Sequence, residues 1–256
     1  MGRREYWKLF QPEWRSLKVR YRENFCFFGR FLCTNLSGNI GVDELKLMVC
    51  MGAWGLLAVV VIGFMNYVIE KRGESPYVKN KNTIAALAVL LGISIIAGYA
   101  VWSKAVSVVA GVRLGITYFG LLGAAVIDWK LHIIPNFIPG SMVFCRLAVL
   151  IYQIFMEGDV VYDIISSIVG MILCVTVLMI ADKISHGGIG KGDIKLLAAI
   201  GFMCGVSVVF ETLFLSLVCC SAVSVMLVVL KKCTMKDHLA FGPFLYIGYV
   251  GMVVFL

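Results

Sequence analysis

In a chain of 256 residues, 61% are hydrophobic and only 15% are charged, whereas a soluble domain has roughly 45–50% apolar and about 25% charged residues. Together with a mean hydropathy of +0.93, that balance excludes a water-soluble enzyme, a disordered polypeptide and a fibrous repeat, and leaves a polytopic membrane protein. The net charge of +8 reads as basic cytoplasmic loops and not as a nucleic-acid surface, because no soluble basic domain or nucleic-acid motif accompanies it.

Residues 1–46 are a basic head in which nine Lys and Arg face five acids, with Trp7, Trp14, Phe25 and Phe28 among the interleaved aromatics. It lacks the apolar core of a signal peptide. Its mixture of charge and aromatic rings suits a segment lying on an anionic membrane surface, with a poorly ordered leader as the equal alternative. Residues 47–256 read as one transmembrane domain. Apolar runs predict helices at about 47–69, 83–102, 106–127, 137–156, 161–182, 193–204, 206–230 and 241–256. The fold class is all-α, a polytopic membrane bundle of about eight transmembrane or re-entrant helices. The runs are continuous and do not alternate with period two, which excludes barrel strands. The sixth run is short. With the glycine-rich loop before it, it suggests a re-entrant element, tolerated at membrane depth only where protein or a water-filled cavity satisfies its backbone.

The loops set the orientation. Residues 70–82, 128–136, 182–195 and 231–240 carry eleven Lys and Arg, and the opposite loops carry only Lys104. The positive-inside bias makes the first set cytoplasmic. Both termini then fall outside, a placement that the nine positive charges of the head oppose.

Acids within or next to spans are costly and are therefore candidates for function. Asp128, Asp163, Asp182, Asp193 and Glu211 qualify. Asp128 ends the third run in AAVIDWKLHIIPN. Pro135 blocks helical continuation there and Asn136 suits a helix start. Taken alone, an Asp at a span end is usually just interfacial. Asp193 follows Gly187, Gly188, Gly190 and Gly192 in SHGGIGKGDIKLL. Such a loop turns sharply, approaches other helices closely and can deliver an acid into a helix-lined cavity. Phosphate cradling is disfavoured, because the acid at the helix start repels an anion and the P-loop spacing is absent. Both Asp residues lie on the cytoplasmic side by the loop count. Two carboxylates held close with little water share one proton, and such a pair can activate a water for attack on a peptide carbonyl.

These strings resemble a known family. Gly190-Lys191-Gly192-Asp193 matches the GxGD motif of intramembrane aspartic peptidases. Asp128 with Ile134-Pro135-Asn136 looks like the first catalytic motif of type IV prepilin peptidases, and Phe241-Gly242-Pro243-Phe244 is similar to that family's last motif. The resemblance implies a leader peptidase of the plasma (inner) membrane. Asp128 and Asp193 would be catalytic, and Gly190, Gly192, Pro135, Asn136, Gly242 and Pro243 would shape the site. The substrate implied is a prepilin-like membrane precursor, with a short basic leader, a Gly at the cut and a long apolar helix. Residues 63–76 are similar to the end of the first span in bifunctional members, where a domain with two CxxC pairs follows, binds zinc and accompanies N-methylation. Here residues 70–82 contain neither Cys nor His, and the nine cysteines include no CxxC. No metal, no cofactor and no methyl transfer are therefore expected.

A rival reading from another class is a proton-coupled transporter or channel with Asp128, Asp193 and Glu211 as relay carboxylates, although the internal repeat common in transporters is missing. A catalytically idle assembly scaffold is a third. Arg113 and Arg146, inside spans, suit a buried salt bridge or snorkelling. His132, His186 and His238 are too scattered for a metal set. The orientation is testable by impermeant thiol labelling of single cysteines in a Cys-depleted chain. Ser75→Cys and Ser185→Cys are expected to stay unlabelled in intact cells and to react once the membrane is opened.

Overall fold

The computed structural model describes residues 42–73, 81–104, 107–156, 160–185, 187–230 and 240–255. Most of the basic head, much of the 70–82 and 231–240 loops, and His186 and His238 lie outside the described residues. The chain divides into two compact units, Met1–Met51 and Gly52–Leu256. The packing and the site described below belong to the second.

All regular structure among the described residues is helical: α1 (Val42–Lys71), α2 (Lys81–Lys104), α3 (Val108–Leu131), α4 (Phe137–Met156), α5 (Val161–Ile184), α6 (Lys191–Cys204), α7 (Val206–Val229) and α8 (Gly242–Phe255). Each apolar run read from the sequence has its helix. The first begins at Val42 and not at 47.

Among the described residues, five helices are long and apolar enough to cross a bilayer: Met51–Lys71 of α1, α3, Phe137–Phe155 of α4, α5 and α7. The short α6 and α8, of 14 residues each, extend about 21 Å, less than the roughly 30 Å of a hydrocarbon core. The burial pattern is that of a protein solvated by lipid. Only 22% of the apolar stretch of α5 and 17% of that of α7 is buried, against 67% for α3. Phe144, Ile172, Phe214 and Val225 project outward. The molecule is a polytopic helical membrane bundle, and α3 is its axis, packed against α2, α4, α6 and α8.

Polar side chains turn inward and pair with one another, as they must where no water is at hand. Arg113 of α3 donates from Nη1 to Asp163 Oδ2 of α5 at 2.7 Å and from Nε to the Met203 carbonyl of α6 at 2.7 Å. Gln153 of α4 donates to the same Asp163 oxygen at 3.0 Å, and Arg146, fully buried, donates to Gln153 at 3.1 Å and to Ser167 at 2.9 Å. Of the two uses suggested for the arginines, Arg113 takes the salt bridge. On the other side of α3, the Tyr118 hydroxyl donates to Ser94 of α2 and lies 2.7 Å from that of Tyr246 of α8. Tyr249 donates to the Leu114 carbonyl. These bonds fix α8 on α3.

Helices α5 and α6 meet backbone to backbone. A Cβ added at Gly201 would lie 2.7 Å from the Gly170 carbonyl oxygen, and one at Gly170 would lie 2.9 Å from that of Gly201. Neither atom can yield as a flexible side chain would. Gly201→Ala is expected to cost about 1–3 kcal/mol by overpacking and to lower the melting temperature in detergent. Gly63→Ala, with nothing within 4 Å of the added carbon, is the control and should melt at or above the parent temperature.

Candidate active site

The mouth of the bundle is built by the end of α3, the loop after it, the glycine loop before α6, and the start of α8. Helix α3 runs through Asp128 to Leu131. It is closed by His132, whose N–H donates to the Asp128 carbonyl from a left-handed conformation (φ 50°). Such a φ is uncommon outside glycine, and it turns the chain sharply into Ile134-Pro135-Asn136. The Asn136 carbonyl accepts the N–H of Gly140, starting α4 where the sequence suggested a helix start. Its side chain has a use that the sequence did not reveal: Oδ1 accepts from Lys195 Nζ of α6 at 2.9 Å.

The glycine loop is organised by Asp182, one of the acids that the sequence places beside a span. Asp182 Oδ1 accepts from the Ile189 N–H at 3.1 Å and its carbonyl accepts from the Gly187 N–H at 2.9 Å. Gly187 sits at φ +87°, a region that favours glycine. Gly190 then caps α6, its carbonyl receiving the N–H groups of Asp193 and Ile194. A Cβ at Gly192 would lie 3.0 Å from Ile134 Cβ, and one at Gly190 would lie 2.7 Å from Asp193 Oδ2. The two glycines therefore let the Asp193 loop press on the Pro135 loop and let the Asp193 side chain fold back on its own turn.

The two acids meet here in unequal settings. Asp128 is only 6% exposed, and its Oδ2 accepts from the Gly242 N–H at 2.7 Å. Gly242 is the first residue of α8, so Asp128 satisfies one of the orphan donors of a helix N-terminus and meets the positive end of its dipole. A Cβ at Gly242 would be 2.9 Å from Asp128 Cβ and Oδ2, so this approach requires glycine. Asp193 lies in the first turn of the short α6, half-buried, and its Oδ1 is buried without a hydrogen-bond partner among the described residues. Burial, and then the nearby Asp128 charge, push its pKa from 3.8 up to about 7. An acid in that setting keeps a proton near neutral pH while most carboxylates have lost theirs.

Asp163 and Glu211 lie away from this mouth. Asp163 is the partner of Arg113. Glu211 is exposed on α7, just past the end of α6 opposite Asp193, so a relay of Asp128, Asp193 and Glu211 is not assembled. An apolar cavity of about 500 Å³ along α3, lined by Trp54, Val61, Gly115, Phe119, Phe137 and Met142 among others, includes neither Asp128 nor Asp193.

Fold and site define a polytopic helical membrane protein with two acids brought together at one end of the bundle. Residues 115–225, which contain both acids, match the type IV leader peptidase family, so the resemblance read from the motifs holds. The chain is 27% identical over 166 residues to a prepilin leader peptidase/N-methyltransferase of Stutzerimonas stutzeri, a match covering 64% of this chain and 56% of that protein. A protein of the same description from Bacillus subtilis (strain 168) is 33% identical over 73 residues, 28% of this chain and 29% of that one. The matches thus span little more than half of one curated relative and under a third of the other. No solved structure matches the chain.

The Asp193 setting has a measurable cost. The unfolded chain ionises this group near 3.8 and the folded chain near 7, so below 3.8 the group is neutral in both states and stability is unaffected. As pH rises from 3.8 through 7, the unfolded state releases its proton more readily and the fold loses stability. Asp193→Asn removes that penalty. Its melting temperature is expected to exceed that of the parent by a margin that grows between pH 4 and 7 and levels off above about 8. A pH-independent margin would remove ionisation of Asp193 as the cause.

Proposed function

We propose that this chain is an aspartic endopeptidase of the plasma (inner) membrane that removes the leader from prepilin-like precursors on the cytoplasmic side. The observation that carries the reading is the pair itself. Two carboxylates in unlike settings, Asp128 buried with the Gly242 N–H as its partner and Asp193 half-buried with one oxygen that has no partner among the described residues, lie within the stretch that matches the leader peptidase family. Environments that push two titratable groups apart divide the roles of acid and base.

Asp128 acts as the base, since the Gly242 N–H and the α8 dipole support its charge. It takes a proton from a water, whose oxygen attacks the scissile carbonyl carbon. Asp193, protonated, donates to the carbonyl oxygen. When the tetrahedral intermediate collapses, the carbon–nitrogen bond breaks, the departing amine receives the proton held by Asp128, and the hydroxyl proton returns to Asp193. Each group regains its starting state, as general acid–base catalysis requires. Gly190, Gly192, Pro135, Asn136 and Pro243 shape the site, and Gly242 also donates its N–H to Asp128. The basic rim formed by Lys130, Lys191 and Lys195 does not attract a basic leader, so recognition rests on the precursor's apolar helix and on backbone contacts.

The proposed activity is cutting without methylation. The two relatives carry both activities in their names, but residues 70–82 of this chain have neither Cys nor His with which to build the zinc-binding pairs.

One experiment tests the reading: co-expression with a prepilin-like precursor in a host lacking any other such enzyme, read by mass spectrometry. A shortened product with an unmodified N-terminus is expected. Asp128→Asn and Asp193→Asn should each lower cleavage by about 10²–10⁴-fold while the protein still accumulates in the membrane. Cleavage by the parent should decline above pH 7, because Asp193 then loses the proton it must donate. Normal processing by either variant rejects the pair, and a product 14 Da heavier than the unmodified one rejects the restriction to cutting.

A further inference from the structure

The proposed pair is carried by two helices that touch, and something must set how far one lies along the other. Asp128 and Arg113 are fifteen residues apart on α3, about 22 Å of rise, and Asp193 and Met203 are ten apart on α6, about 15 Å. The two helices pack together and run in opposite senses, with the acids at one end and the Arg113–Met203 bond at the other.

We propose that Arg113 is a positioning residue for the paired acids: by holding the Met203 carbonyl it fixes the axial position of α6 on α3, and with it the separation of Asp128 and Asp193. This rests on the catalytic reading of those two acids.

Three observations support the clamp. Met203 lies in the last turn of α6, where carbonyls have no partner within the helix and where a cation is favoured by the dipole. Arg113 fills both needs with a buried bond of 2.7 Å. The arginine is itself immobilised. Its Nη1 binds Asp163 of α5, which also accepts from Gln153 of α4, which in turn accepts from Arg146. Pulling Arg113 away would break its bonds to α5 and α6. Finally, a second polar contact, between Thr117 Oγ1 and Cys204 Sγ at 3.2 Å, joins the same ends of α3 and α6, beside the fully buried Leu196, Leu197 and Ile200 of α6. The Gly170–Gly201 meeting with α5 sets a close lateral spacing. The Lys195–Asn136 tie near the acids is exposed, and exposed polar ties contribute little.

Two readouts on the full chain test this, with Arg113→Gln as the main variant. The first is cleavage of a precursor. kcat is expected to fall by about a hundredfold, the effect of roughly 1 Å of misplacement, with KM unchanged. The alkaline limb of the pH profile should move to lower pH, because an Asp193 farther from Asp128 feels its charge less. The second needs no activity. In a Cys-depleted chain carrying Asp128→Cys and Asp193→Cys, bifunctional thiol reagents of graded length report the separation. Arg113→Gln should shift cross-linking from the shortest reagent that joins the pair to a longer one. Arg113→Lys keeps a charge but cannot hold Met203 and Asp163 together, and should give intermediate values in both. If Arg113→Gln does not accumulate, Arg113→Lys carries the test. A pH profile and cross-linking pattern identical to the parent overturns the proposal, even where kcat falls. If the parent cleaves no precursor, the catalytic reading fails, and the cross-linking result still decides the clamp.

Discussion

The hydrogen bond from the Gly242 N–H to Asp128 joins two needs that neither partner could meet alone. A carboxylate at the end of a buried helix requires a donor, and the first N–H of α8 requires an acceptor. Meeting them in one bond places α8 against the end of α3. The rest of α8 conforms to that placement: Tyr246 and Tyr249 bond to groups on α3, and Gly248 allows α7 to come close at Ser216 and Thr212. A 14-residue helix too short to cross the bilayer is thereby built into the wall of the site.

The bundle as a whole follows from its solvent. Lipid is as apolar as leucine, so burying apolar surface supplies little drive for helix association, and packing together with inward polar contacts must supply the rest. Both are visible. Glycines bring α5 to α6 and α7 to α8 at backbone distance. The network of Arg113, Asp163, Gln153 and Arg146 ties α3, α4, α5 and α6 at the end remote from the paired acids. A polar cluster therefore anchors one end of the bundle, and the pair of carboxylates occupies the other.

The carboxylates at the two ends are in different states. At the anchoring end Asp163 has two donors on one oxygen. At the mouth Asp193 has a buried oxygen with no partner among the described residues. An unsatisfied buried carboxylate costs stability, and such costs persist where the group does work that a satisfied group could not do. The glycine loop brings about this state: Asp182 braces it and Gly190 leaves room for the Asp193 side chain.

Much of this was legible in the chain. Continuous apolar runs determined the number and extent of the helices, because a bilayer admits few other spanning structures. Asp128 and Asp193 stood out because an acid beside a span is costly, and the glycines around Asp193 because only they allow close approach. Other features were not legible. Nothing local in Asp163, Met203 or Arg113 says that they meet, since they are separated by 50 to 90 residues. The uses of Asp182, Lys195 and the Gly242 N–H were hidden for the same reason. A periodic pattern records which solvent a side chain faces, and that is a property of its own segment. Which of two identical carboxylates receives a helix N-terminus and which is left unpartnered depends on where distant helices come to rest, and only the packed bundle decides that.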